Sequence, residues 1–549
     1  MKTDRLLYLA LPFGILFMSG FLAISMDKPA PGNSSPYEDL VALFKEWREF
    51  QKPRVIDGVP DYSPAAMKEQ MRGLPAFQKR LAAIDCSRWP VAQQVDYHMV
   101  RAEMNGLEFD HRVLRPWLRM PNFYVSVTAS ENDVPLREGP EISDPLNLWK
   151  HEFPLGEKEQ AEYREKLRAV PAILAQGKKN LVEETKDLWT LSIPEIRGES
   201  RTLDHLAEQL AKYHPDVAPE AKRAKSAVDE YLSWVEKKEK AMKAAPCGIG
   251  VENFDWYMKN VHLVPYTWRE QVAVLEREWA RSVASLKLEE HRNRHLPKLT
   301  PPATEEEAKR RYNEAVDGFM RFLREEPVFT VPDYLHLDYF RGGFAPPDAR
   351  RDFFAKVESL DSMPMKCHSM HWLDKQMMAN DPHPSPIRRI PLLYNIWDSR
   401  AEGLATAMEE LMMQAGLLDK RPRAKELVYM LVAMRCARAM GDLMMHSNDW
   451  GLEQARQFAV ERTPYGWLLP DGATIGTDLR IYLQQPGYGT SYVVGKVQID
   501  KLMADRAGQM GAGFTLQKFM DEFLGCGMIP VSLSRWQMTG LEDEIRKLW

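Results

Sequence analysis

Cysteine is scarce in this chain and poorly placed to brace it. Five thiols, Cys86, Cys247, Cys367, Cys436 and Cys526, are scattered over 549 residues, odd in number and without a C-x-x-C pair. Such usage is no disulfide framework, even for an exported protein, and most of the five read as small buried hydrophobes. A basic excess is also missing, since 73 Lys and Arg stand against 78 Asp and Glu for a net charge of -5. Without a positive field to hold phosphates, nucleic acid is not expected as a partner. Ready-made catalytic signatures are absent as well: there is no H-E-x-x-H, G-x-S-x-G, G-x-x-x-x-G-K-[ST] or G-x-G-x-x-G. No internal repeat is visible, and no low-complexity tract beyond one short linker.

What remains is an ordinary folded composition, 44% hydrophobic and 28% charged. The length exceeds what one small core organises, which predicts two lobes or a large two-layer body. Lys2 and Arg5 precede an uncharged, mainly apolar run over residues 6–24, and Ala23-Ile24-Ser25 gives a small-x-small pattern before Met26. Residues 1–25 therefore read as a signal peptide, or as an uncleaved anchor because the run approaches bilayer length. No cysteine follows the run, which argues against a lipid-anchoring box. The expected location is extracytoplasmic, periplasmic or secreted, with membrane contact only through this N-terminal segment.

Residues 26–36, rich in proline, glycine and serine, form a linker, and the body starts at Tyr37. Leu40, Leu43, Phe44 and Trp47 make a helical stripe; so do Val228, Tyr231, Leu232 and Val235, and Val272, Leu275, Trp279, Val283 and Leu286. Thr267 with Glu270 and Thr304 with Glu307 predict capping boxes. Strand alternation is confined to short pieces around residues 123–127 and 328–331. The expected fold is mostly α with a minor β element. The proline-rich patch at 296–302 suggests a hinge between a helical lobe over 37–300 and a second over 301–549.

The richest polar region holds Cys367, His368, His371, Asp374, His383, Asp398 and Glu402. Two ligands one helical turn apart plus a third from a later helix can hold a zinc-class ion while leaving a position open, and His368 or Cys367 with His371 and Glu402 could be so arranged. The plainer alternative makes the histidines hydrogen-bonding residues and Ser399-x-x-Glu402 a capping box. Asp442 and His446, four apart, read most simply as a buried hydrogen-bonded pair. The tyrosines near Pro486-Gly487 could hydrogen-bond a substrate carbonyl or serve as packing.

Ala401-Glu402-Gly403-Leu404-Ala405 followed by Glu409-Glu410 resembles the EGWA-x-Y-x-E helix of the DUF885 family, a group of bacterial proteins with zincin-like relationships. Arg438, Asp442, His446 and Trp450 resemble that family's R…D…H…W helix. Arg480, Tyr482, Pro486-Gly487, Tyr492 and Gly495-Lys496 are similar to its R-x-Y…PGQA…Y…G segment, and residues 514–530 to its terminal F-x-L-x-x-F-x-D…G-x-x-P. The resemblance is strongest over 386–533; looser matches lie upstream, at Phe77-Gln78, Asp96-Tyr97 and residues 115–124. The family's H-E-x-x-P-G-H signature falls on residues 365–371, where only His371 survives: Met365 replaces the first ligand, Lys366 the proton-accepting glutamate, and Tyr488 the glutamine of PGQ.

The resemblance implies a large zincin-like helical fold and a metal-dependent hydrolase acting on peptides or related amides. It also implies a cleft lined by His371, Glu402, His446, Arg480 and Tyr492. Zinc would be held by His371 and Glu402, with His368 or Cys367 as third ligand, and Tyr492 would stabilise the oxyanion. The eroded signature implies feeble activity, or a pseudoenzyme that keeps the cleft for binding or scaffolding.

Overall fold

The computed structural model of the chain describes residues 34–132, 141–394 and 398–549. The leader and most of the linker lie outside the described residues. The molecule is 69% helix and 2% strand, so the all-helical expectation holds and the β contribution is confined to fragments. Val55–Ile56 pairs antiparallel with Val59–Pro60, and Val127–Thr128 pairs parallel with Leu146–Asn147. The two anticipated strand pieces are otherwise corrected. Residues Pro121–Tyr124 form a 3-10 turn, because Pro121 fixes a helical φ and all four residues pack inward. Around 328–331 there is no ladder: the Thr330 amide and hydroxyl both donate to the Asp521 carboxylate at 2.7 Å, in place of a strand neighbour.

The centre of the molecule is the Ala424–His446 helix, buried on nearly every face because beyond Lys425 and Glu426 in its first turn its sequence is apolar apart from Arg435, Arg438, Asp442 and His446. Against it pack Trp268–Arg292, Leu452–Arg462, Ala473–Gln484, Asp398–Gln414 and Tyr488–Met510. Helices from both sides of the proline-rich 296–302 segment thus contribute to one contiguous core. Upstream, Glu157–Asn180, Lys186–Tyr213 and Ala218–Ala241 form a further packed group. The stripe of the first helix, Tyr37–Phe50, is buried at Leu40, Leu43, Phe44 and Trp47 as its spacing predicts. Thr267 and Glu270 make the full reciprocal capping box. At the next helix Thr304 accepts from the Glu307 amide, but the Glu307 carboxylate accepts from Ala303 instead of closing the box.

Two contacts position the region of interest. The Asp398–Gln414 and Tyr488–Met510 helices cross with their backbones touching: a Cβ on Gly495 would come within 2.0 Å of the Ser399 carbonyl oxygen, and one on Gly403 within 2.6 Å of the Gly495 Cα. Only glycine at both positions permits this approach, and it sets Glu402 opposite Tyr488 and Tyr492. The second contact is Arg388, a buried hub that donates to Asp96 (2.6 Å), to the carbonyls of Ala92 (2.6 Å) and Cys526 (2.8 Å), and to Gln537 (2.9 Å). Asp96 also accepts from Tyr37 and Ser385, so one ion pair joins the N-terminal helix, the Val91–Phe109 helix and the C-terminal segment.

All five cysteines are free thiols, four of them buried. Reductant should therefore leave the melting temperature unchanged; a fall equivalent to losing a structural disulfide, about 2 to 5 kcal/mol, would contradict the structure.

Candidate metal centre

His368, His371 and Glu402 converge. One donor atom from each lies within 4.8 Å of the other two. A break in the chain makes this possible: Met363–His368 and Met370–Asn380 are separate helices, with Ser369 between them at ψ 7°. Across that break the regular 100° step per residue no longer applies. Cys367 is thereby excluded from the cluster. Its thiol is fully buried, donates to the Met363 carbonyl at 3.5 Å, and is pushed well up in pKa by burial. His368 faces the cluster instead.

Glu402 holds the centre. Its Oε2 is 3.0 Å from His371 Nε2 and 3.6 Å from His368 Nε2, while its Oε1 accepts from the Tyr488 hydroxyl at 2.7 Å. Burial opposes ionisation here, but His371 and His368 outweigh it and hold the Glu402 carboxyl well below the usual carboxylate range. The capping-box expectation for Glu402 is corrected: Ser399 lies inside the Asp398–Gln414 helix, and the carboxylate is committed to the histidines and Tyr488.

His368 is braced from behind. Its Nδ1 lies 3.1 Å from Glu409 Oε1 and 3.3 Å from Arg435 Nη2, and Arg435 grips both oxygens of Glu409 at 2.7 Å. Burial resists ionisation of Glu409, but Arg435 and His368 lower its pKa overall. The Glu409–Arg435 pair at Nδ1 turns the Nε2 edge of the His368 ring toward Glu402. Glu409 and Arg435 were not singled out as site residues from sequence. The signal was present, because Glu409 follows Glu402 by seven residues, two helical turns along one face. Tyr488, one of the tyrosines near Pro486-Gly487 weighed for a substrate carbonyl or packing, instead bonds Glu402.

The remaining sequence candidates fall in different places. The Tyr492 ring lies parallel to the His368 ring, 6.3 Å between centroids, with the Arg438 guanidinium 4.6 Å over it. Arg438 in turn donates to Asp478 at 2.5 Å. His446 makes its contacts elsewhere: Nε2–H donates to the Tyr482 carbonyl at 2.9 Å, and burial pushes its pKa down to about 4. Asp442, 3.6 Å from it, spends its carboxylate on the Gly487 and Thr490 amides, capping the Tyr488–Met510 helix. Arg480 forms an ion pair with Glu195 at 3.2 Å, on the Lys186–Tyr213 helix. Lys366 is the clearest departure from expectation, because its charge does not enter the cluster. The ammonium sits 3.8 Å over the Tyr312 ring and 4.6 Å over Phe340, 3.2 Å from Glu358.

The two edges that meet at Glu402 Oε2 match the spacing of ligands around a zinc-class ion, and the edge between the imidazoles lies within 4.8 Å. Ligands at 2.0–2.1 Å in a tetrahedron are about 3.3 Å apart, and the two distances to Glu402 Oε2, 3.0 and 3.6 Å, bracket that edge. Two imidazoles and one carboxylate also form a set that leaves a fourth position open. Glu409→Gln removes the brace on His368 and should weaken zinc binding by about 10- to 100-fold without abolishing it, as read by competition with a chelator.

Residues 371–538 match the family described as DUF885, "Bacterial protein of unknown function". No curated protein matches the chain. Solved structures that share its fold include "The structure of a putative lipoprotein of unknown function from Shewanella oneidensis", at TM-score 0.67 and 15% identity over 92% of this chain and 100% of that one. Another is "The crystal structure of the putative lipoprotein from Colwellia psychrerythraea", at TM-score 0.60 and 13% identity over 92% and 97%. The chain thus carries a DUF885 region over residues 371–538, within a helical fold that these structures share.

Proposed function

We propose that this protein is an extracytoplasmic metal-dependent hydrolase of low turnover, which holds one zinc-class ion with His368, His371 and Glu402 and acts on peptides or related amides. The observation that carries this reading is the convergence of the three donors, with Glu409 and Arg435 fixing the orientation of His368. When bound, such an ion supplies Lewis acidity, which polarises a substrate carbonyl and acidifies water. The chain's own contribution is positional. Tyr488 holds the second oxygen of Glu402, so that Oε2 stays directed at the histidines. Tyr492, steadied by Arg438 over its ring, is the phenol beside His368 and the candidate donor to a substrate oxygen.

Low turnover follows from Lys366. It occupies the sequence position of the family's proton-accepting glutamate and is directed into the Tyr312–Phe340 pair, so no base is supplied from there. The same observation favours the second reading, a binding or scaffold protein that retains the metal and not the reaction. Metal analysis of protein isolated without added zinc, followed by a fluorogenic peptide assay on the zinc-loaded form, separates them. One equivalent of zinc with slow hydrolysis that is lost in Glu402→Gln supports the enzyme. One equivalent with no hydrolysis supports the scaffold, and no zinc at micromolar supply overturns both.

The extracytoplasmic location rests on the charged and apolar leader and on the description of both structural neighbours as lipoproteins. No helix among the described residues is long and apolar enough to cross a membrane. Mass spectrometry of protein from the native envelope should find a mature N-terminus near Met26; soluble cytoplasmic protein with Met1 intact would contradict it.

A further inference from the structure

On another face, a cavity of about 640 Å³ opens between the Trp268–Arg292 and Ala424–His446 helices and the Tyr465–Trp467 turn. Its size lies within the range of small-molecule sites. The floor is apolar, made by Leu286, Leu427 and Met430, all buried. The rim is basic, and its charges divide into two groups. Lys287 is bound by Glu290 and the Tyr465 hydroxyl, and Arg423 by Glu426 and the carbonyls of Asn293 and Leu296. Arg294 and Lys298 are exposed at the same rim, and neither pairs with a carboxylate among the described residues. Both carboxylates of the lining are thus matched, and two cations are left over.

Tyr465 adds a second observation. It is a non-glycine residue at φ 62°, ψ 14°, half exposed, and its ring and hydroxyl are held at the cavity edge by Lys287 and Glu290. A left-handed backbone at a bulky residue costs free energy and persists where surrounding contacts enforce it, a pattern concentrated at ligand clamps.

We infer that this cavity is a second binding site, separate from the His–Glu cluster, for an organic anion with an apolar body: a carboxylate headed towards Arg294 and Lys298, with a hydrocarbon chain on Leu286, Leu427 and Met430. A neutral amphiphile of the same length gains the apolar floor alone, and a cationic one is repelled at the rim.

The test is titration calorimetry of the full chain with dodecanoate, dodecanol and dodecylammonium below their aggregation limits. The expected result is saturable 1:1 binding of dodecanoate, weaker binding of dodecanol and none of dodecylammonium. The Arg294→Glu/Lys298→Glu double variant, whose changes are on exposed side chains, should lose about tenfold or more in dodecanoate affinity at an unchanged melting temperature. Leu299→Trp, which fills the cavity from a half-buried position, should reduce binding of dodecanoate and dodecanol alike. Absence of saturable dodecanoate binding, equal binding of the ammonium, or full affinity in the double variant would overturn the assignment.

Discussion

Zinc affinity should fall by more than about 100-fold in His371→Ala and in Glu402→Gln. Loss of a supporting hydrogen bond costs about 10- to 100-fold, and loss of a direct ligand must exceed that. Each substitution leaves two protein donors, fewer than the three that a catalytic zinc site normally uses. Glu402→Gln is the sharper experiment. It keeps the shape and the acceptor for Tyr488 while removing the charge that attracts both the ion and the two imidazoles. Isothermal titration with zinc reads the effect; wild-type affinity in either variant would remove the cluster from consideration as a metal site. Lys366→Met serves as the contrasting substitution. Because Lys366 packs on Tyr312 and Phe340, it should leave zinc affinity unchanged.

The largest expected effect on stability lies at Asp96. Asp96→Ala strips the carboxylate from a guanidinium that is itself buried, and breaking such a pair costs about 3 to 5 kcal/mol. The unfolding midpoint in urea should fall accordingly. Replacing both partners, as Asp96→Leu with Arg388→Met, should recover much of the loss, because no uncompensated charge then remains in the interior. A single variant as stable as the wild type would show that Arg388 is satisfied by the Ala92 and Cys526 carbonyls and Gln537.

Much of this centre was legible in the residues. His368, His371 and Glu402 were named from ligand type and from the register of the DUF885 resemblance, and they do converge. What could not be read was the break at Ser369: helical geometry extended through it left Cys367 and His368 equivalent, whereas the broken helix buries one and presents the other. The direction of Lys366 was hidden for a related reason. A sequence position fixes where a side chain begins, and a ring pair formed by Tyr312 and Phe340, from distant parts of the chain, decides where it ends.

His446 and Arg480 show the limits of grouping residues by motif. On the Ala424–His446 helix, His446 shares a face with Arg435, but eleven residues place it about 16 Å further along the axis. Arg480 is two residues from Asp478, about 200° around its helix, so while Asp478 turns to Arg438 it turns to Glu195. Glycine carried information of another kind. The family-like glycines at 403 and 495 could be matched from sequence, but their use as the contact point of two helices emerges only when both backbones are in place.

Zinc K-edge X-ray absorption on the protein loaded with one equivalent of zinc reads the ligand set itself. Two imidazoles and carboxylate oxygen are expected in the first coordination sphere, with nitrogen and oxygen at about 2.0–2.2 Å and no sulfur. A scatterer at about 2.3 Å, the distance of a thiolate, would put Cys367 in the place given to His368, and a spectrum without imidazole would contradict the site altogether.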